Sequence, residues 1–204
     1  MSEADDELAT DERHGAERVR LGDDDGRLAL VVDGVVQSVA VGKGLPDTGY
    51  WSAMVPDVRP QSTLLLGLGA GTVAQLLVER FGPVSIVGVE REPAVVALAK
   101  ARLGLDLPNV EIVVEDAFAF VNRCARRFDF ICVDLYDGPT LARGALAKPF
   151  LRRVRALLSP SGCAVFNLVL TRRLPQQLRR LTEAFRVTRT VDVELNLVVF
   201  CQAA

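Results

Sequence analysis

Between residues 62 and 133 the chain alternates short apolar runs with stretches in which apolar residues recur at helical spacing. The apolar runs cover residues 62–66, 84–89, 110–114 and 128–133. They are nearly continuous in apolar residues, which is typical of strands buried on both faces. Because helical patterns separate the runs, the strands are expected to be parallel, with helices covering both faces of the sheet. This alternation predicts an α/β fold with a doubly wound, mostly parallel sheet.

The predicted helices have recognisable ends. Gly82 and Pro83 end the first one, since glycine is favoured just after a helix and proline cannot continue it. Pro93 begins the second one, because proline is well tolerated in the first turn of a helix. We predict helices over residues 72–81, 93–103, 117–126 and 144–158.

The C-terminal part of the chain departs from this alternation. A turn at 160–162 leads into a strand over 163–168, and a helix is predicted over 175–184. Two further strands, over 186–191 and 195–201, have only three residues between them. Strands joined so closely pair in antiparallel fashion at a sheet edge. The predicted sheet therefore has seven strands and an antiparallel C-terminal strand.

The N-terminal part combines an acidic segment with a hairpin. The first 26 residues contain ten carboxylates and few apolar side chains, so we predict that residues 1–18 form a disordered tail. Residues 27–32 and 35–39 flank Asp33-Gly34, a dipeptide suited to a β-hairpin turn. The chain is thus divided into this tail, an N-terminal β-hairpin region over 19–55 and a ligand-binding domain over 56–204.

A glycine-rich turn joins the first parallel strand to its helix. Its sequence is Gly67-Leu68-Gly69-Ala70-Gly71. Glycines permit backbone dihedrals that other residues avoid, and they let a ligand approach the main chain. In a doubly wound sheet such a turn lies at the carboxyl ends of the strands, where ligands bind. The turn therefore indicates a site for a nucleoside-type ligand.

Acidic residues at the ends of the next two strands support this interpretation. Glu90 ends the second strand, where a carboxylate can accept hydrogen bonds from both ribose hydroxyls. Asp116 ends the third strand and can reach the edge of an adenine. The predicted nucleoside contacts are made by Gly67, Leu68, Gly69, Gly71, Glu90, Arg91, Asp116 and Ala117.

The rival interpretation of the glycine turn is a nicotinamide-dinucleotide site. The dinucleotide fingerprint requires glycine or alanine at its sixth position, where this chain has Thr72. The G-x-G-x-G spacing found here is better suited to a ligand without a pyrophosphate. An antiparallel strand at the C-terminus also belongs to the methyltransferase type of sheet. We therefore favour an adenosylmethionine-type nucleoside.

The glycine turn, Glu90 and Asp116-Ala117 together resemble the class I adenosylmethionine-dependent methyltransferase fold, which is Rossmann-like. One branch of that fold is similar over more of the chain. Residues 30–37 resemble the N-terminal hairpin of the spermidine synthases, whose pattern is roughly LxLDGxxQ. The segment 133–139 matches the family's VDSSDPxGP pattern in both aspartates. The resemblance to the spermidine synthase-like family extends from about residue 28 to residue 201.

The resemblance implies an aminopropyltransferase that joins an amine to a carbon on a sulfonium. Such an amine must lose a proton to attack, so a nearby carboxylate base helps. By resemblance, Asp134 would be that base and would also contact the nucleoside, while Asp137 would act with it and hold the substrate amine. Tyr136, Tyr50 and Trp51 are also predicted to lie near the substrate, and Tyr50 and Trp51 could either cover the nucleoside pocket as a lid or equally pack beneath the hairpin.

Three positions depart from the family pattern on the amine side of the site. The family's glycine motif contains an aspartate where this chain has Ala70. Ser52 and Ala53 replace a glutamine or histidine and a glutamate near the substrate. Charge-assisted hydrogen bonds are worth roughly 1.5–3 kcal/mol each, so their loss would weaken polyamine binding greatly. The nucleoside half of the pattern is retained.

These departures leave three functions open. The first is a spermidine-synthase-like transferase that uses adenosylmethionine or decarboxylated adenosylmethionine as co-substrate. The second is an adenosylmethionine-dependent methyltransferase that acts on a small molecule. The third is a nucleoside-binding protein without catalytic activity. In each transferase hypothesis the partner is a small-molecule amine or another small acceptor, and the resemblance adds a possible homodimer.

Composition limits the other classes of partner. The net charge of −2 gives no overall attraction to nucleic acid or anionic lipid, and neither partner is expected. The basic residues Arg172, Arg173, Arg179 and Arg180 are predicted to form a solvated helix face. The four cysteines are scattered and the single histidine lies in the tail, so no metal site is predicted. Reduced cysteines and the absence of a signal-like segment favour a cytoplasmic protein.

Overall fold

The computed structural model describes residues 18–42 and 49–203. The predicted tail therefore lies, apart from Arg18, outside the described residues. The strands are β1 Val19–Asp24, β2 Arg27–Val32, β3 Val35–Val39, β4 Ser62–Leu66, β5 Ser85–Glu90, β6 Val110–Val114, β7 Phe128–Val133, β8 Tyr136–Asp137, β9 Thr140–Leu141, β10 Leu158–Val169, β11 Phe185–Val193 and β12 Asn196–Ala203. The helices are α1 Tyr50–Ala53, α2 Thr72–Phe81, α3 Pro93–Arg102, α4 Ala117–Arg123, α5 Lys148–Leu157 and α6 Leu174–Ala184.

The main sheet has seven strands in the order β11-β12-β10-β7-β4-β5-β6. Strand β4 pairs in parallel with β5 and β7, and β10 pairs in parallel with β7. Strand β12 is antiparallel to both of its neighbours. The predicted doubly wound, mostly parallel sheet with an antiparallel C-terminal strand is confirmed. Leu64, Leu65 and Leu66 are all buried, because β4 lies at the centre of the sheet with a core on each face.

The connections of β4 create a crevice at one edge of this sheet. The chain leaves β4 toward β5 on one side, while β7 pairs with the other side of β4. In open α/β sheets, ligands bind outside the carboxyl ends of the strands where the strand order reverses in this way. Gly67, Glu90 and Asp134 follow or end β4, β5 and β7, so the fold brings all three to this point.

The N-terminal region forms a three-stranded antiparallel sheet, β1-β2-β3, rather than the predicted hairpin alone. Both of its turns use Asp-Gly. Asp25 and Gly26 have φ of 50° and 80°, and Asp33 and Gly34 have φ of 50° and 78°. Two consecutive positive φ values are the geometry of the hairpin turn that matches strand twist. Strand β1 was missed because its end merges into the acidic run.

The N-terminal sheet is docked onto the glycine turn by side chains that pair with backbone. Ser38 Oγ accepts a hydrogen bond from the Ala70 N–H at 2.9 Å. Thr72 Oγ1 accepts from the Val39 N–H at 3.1 Å and donates to the Val39 carbonyl at 2.9 Å. Both hydroxyls are buried. The N-terminal sheet therefore forms one wall of the crevice above β4.

Two helix ends differ from the sequence prediction by three residues or more. Helix α4 stops at Arg123 rather than residue 126, because Cys124 is extended and begins the approach to β7. Helix α5 starts at Lys148 rather than residue 144, since Gly144 has a φ of 99° that is incompatible with a right-handed helix. In the described ranges, no helix is long and apolar enough to span a bilayer.

Candidate active site

The glycine turn is held in a conformation that excludes side chains. Gly67, Gly69 and Gly71 have φ of 85°, 54° and 81°, in the left-handed region that favours glycine. A Cβ on Gly67 would lie 2.1 Å from the carbonyl oxygen of Asp134. A Cβ on Gly69 would lie 2.5 Å from Ser38 Oγ. The turn thus packs against two neighbouring chain segments and leaves bare backbone facing the crevice.

Not every residue of the turn reaches the crevice. Gly67, Leu68 and Gly69 line the cavity, whereas Ala70 and Gly71 do not. Ala70 is only 1% exposed and packs in the core beneath the turn. A Cβ on Gly71 would lie 2.2 Å from Leu105 Cδ1, so this glycine is required by packing at the start of α2. The predicted contact of Gly71 with a nucleoside remains a prediction.

Glu90 is fixed by the backbone on both sides of it. Its Oε2 accepts a hydrogen bond from the Gly69 N–H at 2.9 Å, and its Oε1 accepts from the Glu92 N–H at 3.1 Å. Glu90 lines the cavity, where the remaining lone pairs of both oxygens are available as acceptors. One residue therefore orients the glycine turn and offers an acceptor for paired hydroxyls.

The end of β6 provides the opposite wall. Asp116 caps α4, with its Oδ1 accepting from the Ala119 N–H at 3.0 Å. Asp116 and Ala117, two of the predicted nucleoside contacts, both line the cavity. Phe118, which sequence reasoning did not select, lines it as well and packs on Phe150 with ring centroids 4.9 Å apart. Its ring adds apolar surface to the side of the cavity where an adenine was predicted.

Asp134 lies directly beside the glycine turn at the end of β7. Its Oδ1 accepts a hydrogen bond from Asn167 Nδ2 at 2.9 Å, and its Oδ2 accepts from the Tyr50 hydroxyl at 3.4 Å. Burial raises the pKa of the Asp134 carboxyl from its ordinary 3.8 to about 6, while both hydrogen bonds act in the opposite direction. This carboxylate is therefore poised to exchange a proton near neutral pH.

A second amide extends the hydrogen bonding behind Asp134. Asn196 Nδ2 donates to Asn167 Oδ1 at 2.8 Å, so Asn167 is oriented to donate toward Asp134. Sequence reasoning missed both asparagines. The available signal was an amide within the otherwise apolar run of β10, since a buried amide there requires partners.

The aromatic residues near Asp134 have separate roles. Trp51 is 8% exposed and packs in the core with the N-terminal sheet, yet it also lines the cavity. Tyr50 stacks beside it at a centroid distance of 4.3 Å and points its hydroxyl at Asp134. Burial and the nearby Asp134 charge raise the pKa of Tyr50 well above its ordinary value, so its hydroxyl remains a donor. The choice between lid and core is thus resolved toward the core for Trp51.

Tyr136 is anchored to β10 by its hydroxyl. It donates to the Asn167 carbonyl at 3.1 Å and accepts from the Val169 N–H at 3.1 Å. Its ring lines the cavity on the side of the hairpin formed by β8 and β9. The segment after β7 therefore forms a short hairpin that closes one side of the site.

Asp137 is engaged in an ion pair across the mouth of the cavity. Its Oδ1 lies 2.6 Å from the Arg91 guanidinium, and both side chains are half exposed. Gln37 Nε2 donates to the Gly138 carbonyl at 3.5 Å and ties the same hairpin to the N-terminal sheet. The structure thus pairs Asp137 with Arg91, a predicted nucleoside contact that lines the cavity, whereas Asp137 itself is not among the lining residues.

Replacing Tyr50 by Phe should move the titration of Asp134 to higher pH. The Tyr50 hydroxyl stabilises the ionised carboxylate, so its removal raises the pKa of Asp134 further above about 6. Carbon-detected NMR of the aspartate carboxyls would follow this titration directly. Tyr136→Phe is the matched control, because that hydroxyl bonds backbone groups rather than Asp134. An unchanged Asp134 titration in Tyr50→Phe would contradict the assigned hydrogen bond.

Residues 64–162 match the family model described as a methyltransferase domain. A polyamine aminopropyltransferase from Mycobacterium tuberculosis is 36% identical over 115 residues, which cover 52% of this chain and 22% of that protein. Among solved structures, a probable spermidine synthase from Corynebacterium glutamicum has a TM-score of 0.77 at 20% identity, covering 90% of this chain and 76% of the other. Human methyltransferase-like protein 13 in complex with SAH has a TM-score of 0.65 at 22% identity, covering 75% and 76%.

These similarities confirm the resemblance seen in the sequence. The chain spans only part of the length of the curated relatives that it matches. It covers 22% of the length of the Mycobacterium tuberculosis protein. The matched methyltransferase domain begins in β4 and ends in β10, so it contains the glycine turn, Glu90, Asp116 and Asp134. The protein therefore has a methyltransferase-like α/β fold, and its sequence is similar to polyamine aminopropyltransferases over part of their length.

Proposed function

We propose that this protein is a transferase that binds adenosylmethionine or its decarboxylated form and alkylates a small-molecule nucleophile, with Asp134 as the base. The observation that carries the proposal is the position of Asp134. Asp134 lines the cavity, burial raises the pKa of its carboxyl to about 6, and its backbone carbonyl packs against Gly67 of the glycine turn. The similarity to aminopropyltransferases and the methyltransferase domain supports the same class of reaction.

The residues of the cavity fit an adenosyl ligand. Bare backbone at Gly67 and Gly69 leaves room for close approach, and Glu90 offers acceptors for ribose hydroxyls. Ala117 and Phe118 would provide apolar contacts for the base, and Asp116 would accept from its amino group. When bound, the sulfonium of such a ligand supplies an electrophilic carbon.

Asp134 would accept the proton that the acceptor loses. A carboxyl with a pKa of about 6 is mostly ionised at neutral pH, and it is more basic than an ordinary aspartate. Asn167 and Tyr50 each donate to one of its oxygens and hold the carboxylate in one orientation. Asp134 lines the cavity, and each carboxylate oxygen keeps lone pairs that these two bonds do not use. Positioning and proton removal are the two demands of this reaction.

Methyl transfer is the second candidate, and specific observations favour it. Asp137, the residue expected to hold an amine, is already paired with Arg91. Ala70 stands at the family's aspartate position and is buried away from the cavity. An assay with decarboxylated adenosylmethionine and putrescine tests aminopropyl transfer through formation of spermidine and methylthioadenosine. Absence of that product, together with tighter binding of adenosylmethionine than of its decarboxylated form, would assign methyl transfer.

Glu90→Ala should weaken nucleoside binding by about 1.5–3 kcal/mol, because a charged acceptor is lost from the ribose. Calorimetric titration with adenosylmethionine and with its decarboxylated form measures the effect. Glu111→Ala removes the same charge from an exposed site on β6 and serves as the control. Since Glu90 also bonds the Gly69 N–H, Glu90→Gln is a second variant that keeps one oxygen. Wild-type affinity in both Glu90 variants would contradict the ribose assignment.

A further inference from the structure

A second cavity lies on the far side of the β8–β9 hairpin from the nucleoside cavity. It opens between this hairpin, the loop that follows it and the start of α6. Four arginines line it, and no aspartate or glutamate is among its described lining residues. We name it the arginine cavity after Arg143, Arg172, Arg173 and Arg180. Its lining is therefore strongly cationic, in a chain whose overall charge is −2.

The charges of these arginines are not neutralised within the described part of the chain. The ion pairs found among residues 18–42 and 49–203 involve other arginines. Four like charges around one concave surface repel each other and attract an anion. Guanidinium groups match carboxylate and phosphate through paired hydrogen bonds. The lining is thus complementary to a small molecule that carries one of these groups.

The start of α6 adds to this preference. Arg173 is the N-cap residue, and no side chain caps the helix there. The positive end of the helix dipole favours an anion there, although the N–H groups of Leu174 and Gln177 already donate to backbone carbonyls and Pro175 has none. Gln177, in the first turn of the helix, lines the cavity, and its buried Oε1 has no hydrogen-bond partner within the described residues. A hydroxyl or amine group of a ligand would supply the hydrogen-bond donor that this oxygen lacks.

The two cavities share a wall. Tyr136 and Ala142 line both of them, and the Tyr136 hydroxyl is fixed between two backbone groups of β10. Asp134 lies two residues before Tyr136, on the nucleoside side. A molecule anchored in the arginine cavity would therefore be separated from the nucleoside cavity only by the wall that Tyr136 and Ala142 form. We propose that the arginine cavity binds the carboxylate or phosphate of a small anionic acceptor, an inference that rests on the proposed transferase function.

The arginine cavity is better suited to a small anion than to a polyamine or a nucleic acid. A polycation would be repelled by the four arginines, and the carboxylate that could offset them, Asp137, pairs with Arg91. A single-stranded nucleic acid would be bound through stacking aromatic side chains. Tyr136 is the one aromatic residue among the described lining, and its hydroxyl is anchored to β10. The wall shared with the nucleoside cavity favours a small molecule.

Calorimetric titration of the full chain at low ionic strength tests the proposal, with inorganic phosphate and succinate as separate probes. We expect saturable binding of at least one probe, which distinguishes a phosphate from a carboxylate preference. Arg180→Gln and Arg172→Gln should each weaken that binding about tenfold or more, through loss of a charge-assisted hydrogen bond. Arg179→Gln is the matched control, because it removes the same charge from the same helix outside the cavity lining.

Adenosylmethionine is titrated in parallel to separate the two proposals. Its affinity should be unchanged in Arg180→Gln, and phosphate or succinate should still bind to the nucleoside-saturated protein, since donor and acceptor must be bound together. Failure of the wild-type protein to bind adenosylmethionine or its decarboxylated form would reject the transferase function. Anion binding is judged separately, by the titrations with phosphate and succinate. Three results would overturn the inference: no saturable anion binding, equal weakening in Arg179→Gln and Arg180→Gln, or tighter binding of a single-stranded oligonucleotide than of either anion.

Discussion

Asp134→Asn should lower turnover by about 10²- to 10⁴-fold while the protein remains folded, which is the contribution expected of a general base. Asparagine has the shape of aspartate, and its oxygen can still accept from Asn167. In the wild-type protein, activity should rise with pH through about 6 as the Asp134 carboxyl loses its proton. Turnover of the accepted substrate, measured from pH 5 to 8, would show this rise in activity in the wild-type protein.

The same substitution should stabilise the fold at neutral pH. The pKa of Asp134 is raised from 3.8 to about 6 in the folded protein, so the folded state holds its proton more tightly than the unfolded state. The associated stability is fully present below pH 3.8 and is lost as pH rises through about 6. A shift of this size corresponds to about 3 kcal/mol as an upper limit.

Urea denaturation checks this pH dependence. Asp134→Asn should exceed the wild-type free energy of unfolding by about 1–3 kcal/mol at pH 8, and the difference should shrink toward pH 4. Asp192→Asn, which removes an exposed carboxylate on β11, is the control for loss of a charge alone. Full activity in Asp134→Asn would contradict the role assigned to Asp134. So would a free energy of unfolding that, relative to the wild type, is lower at pH 8 than at pH 4.

Gly67→Ala should destabilise the protein by about 2–4 kcal/mol and abolish nucleoside binding. Its φ of 85° is unfavourable for alanine, and the new Cβ would lie 2.1 Å from the carbonyl oxygen of Asp134. That obstacle is backbone at the end of a central strand, so it cannot move without displacing the candidate base. The glycine turn and Asp134 would then separate.

Gly82→Ala is the matched control for Gly67→Ala. Gly82 also has a positive φ, of 75°, but among the described residues no neighbouring atom lies within 4 Å of the point that an alanine Cβ would occupy at the end of α2. Its substitution should therefore show the backbone strain alone, about 1–2 kcal/mol, with nucleoside binding unchanged. Equal destabilisation of the two variants in urea denaturation would show that the contact between Gly67 and Asp134 is unimportant.

The parallel sheet could be predicted because its strands are recognisable locally. Continuous apolar runs such as 128–133 indicate burial on both faces, and helical spacing between them leaves few topologies. Strand β1 could not be recognised in the same way, since Val19–Asp24 has only two buried or half-buried apolar side chains before its acidic end. Its partner β2 supplies the apolar face that it lacks. The repeated Asp-Gly dipeptide at Asp25-Gly26 was the usable signal.

The candidate site was predictable where a residue ends a strand, and not where a contact joins distant segments. Glu90, Asp116 and Asp134 end strands of one sheet, so their convergence follows from topology. The hydrogen bond from Asn167 to Asp134 crosses from β10 to β7, and the pairing of Asp137 with Arg91 crosses the cavity mouth. Such contacts depend on register and side-chain geometry that no local pattern encodes. For the same reason the arginine cavity could not be predicted, since Arg143 is far in sequence from Arg172 and Arg180.

Calorimetric titration with adenosylmethionine, decarboxylated adenosylmethionine and NAD tests whether the cavity at the glycine turn is an adenosyl-sulfonium site. We expect at least one of the two sulfonium nucleosides to bind with one-to-one stoichiometry and more tightly than NAD. Tighter binding of NAD, or no binding of either sulfonium nucleoside, would contradict this expectation.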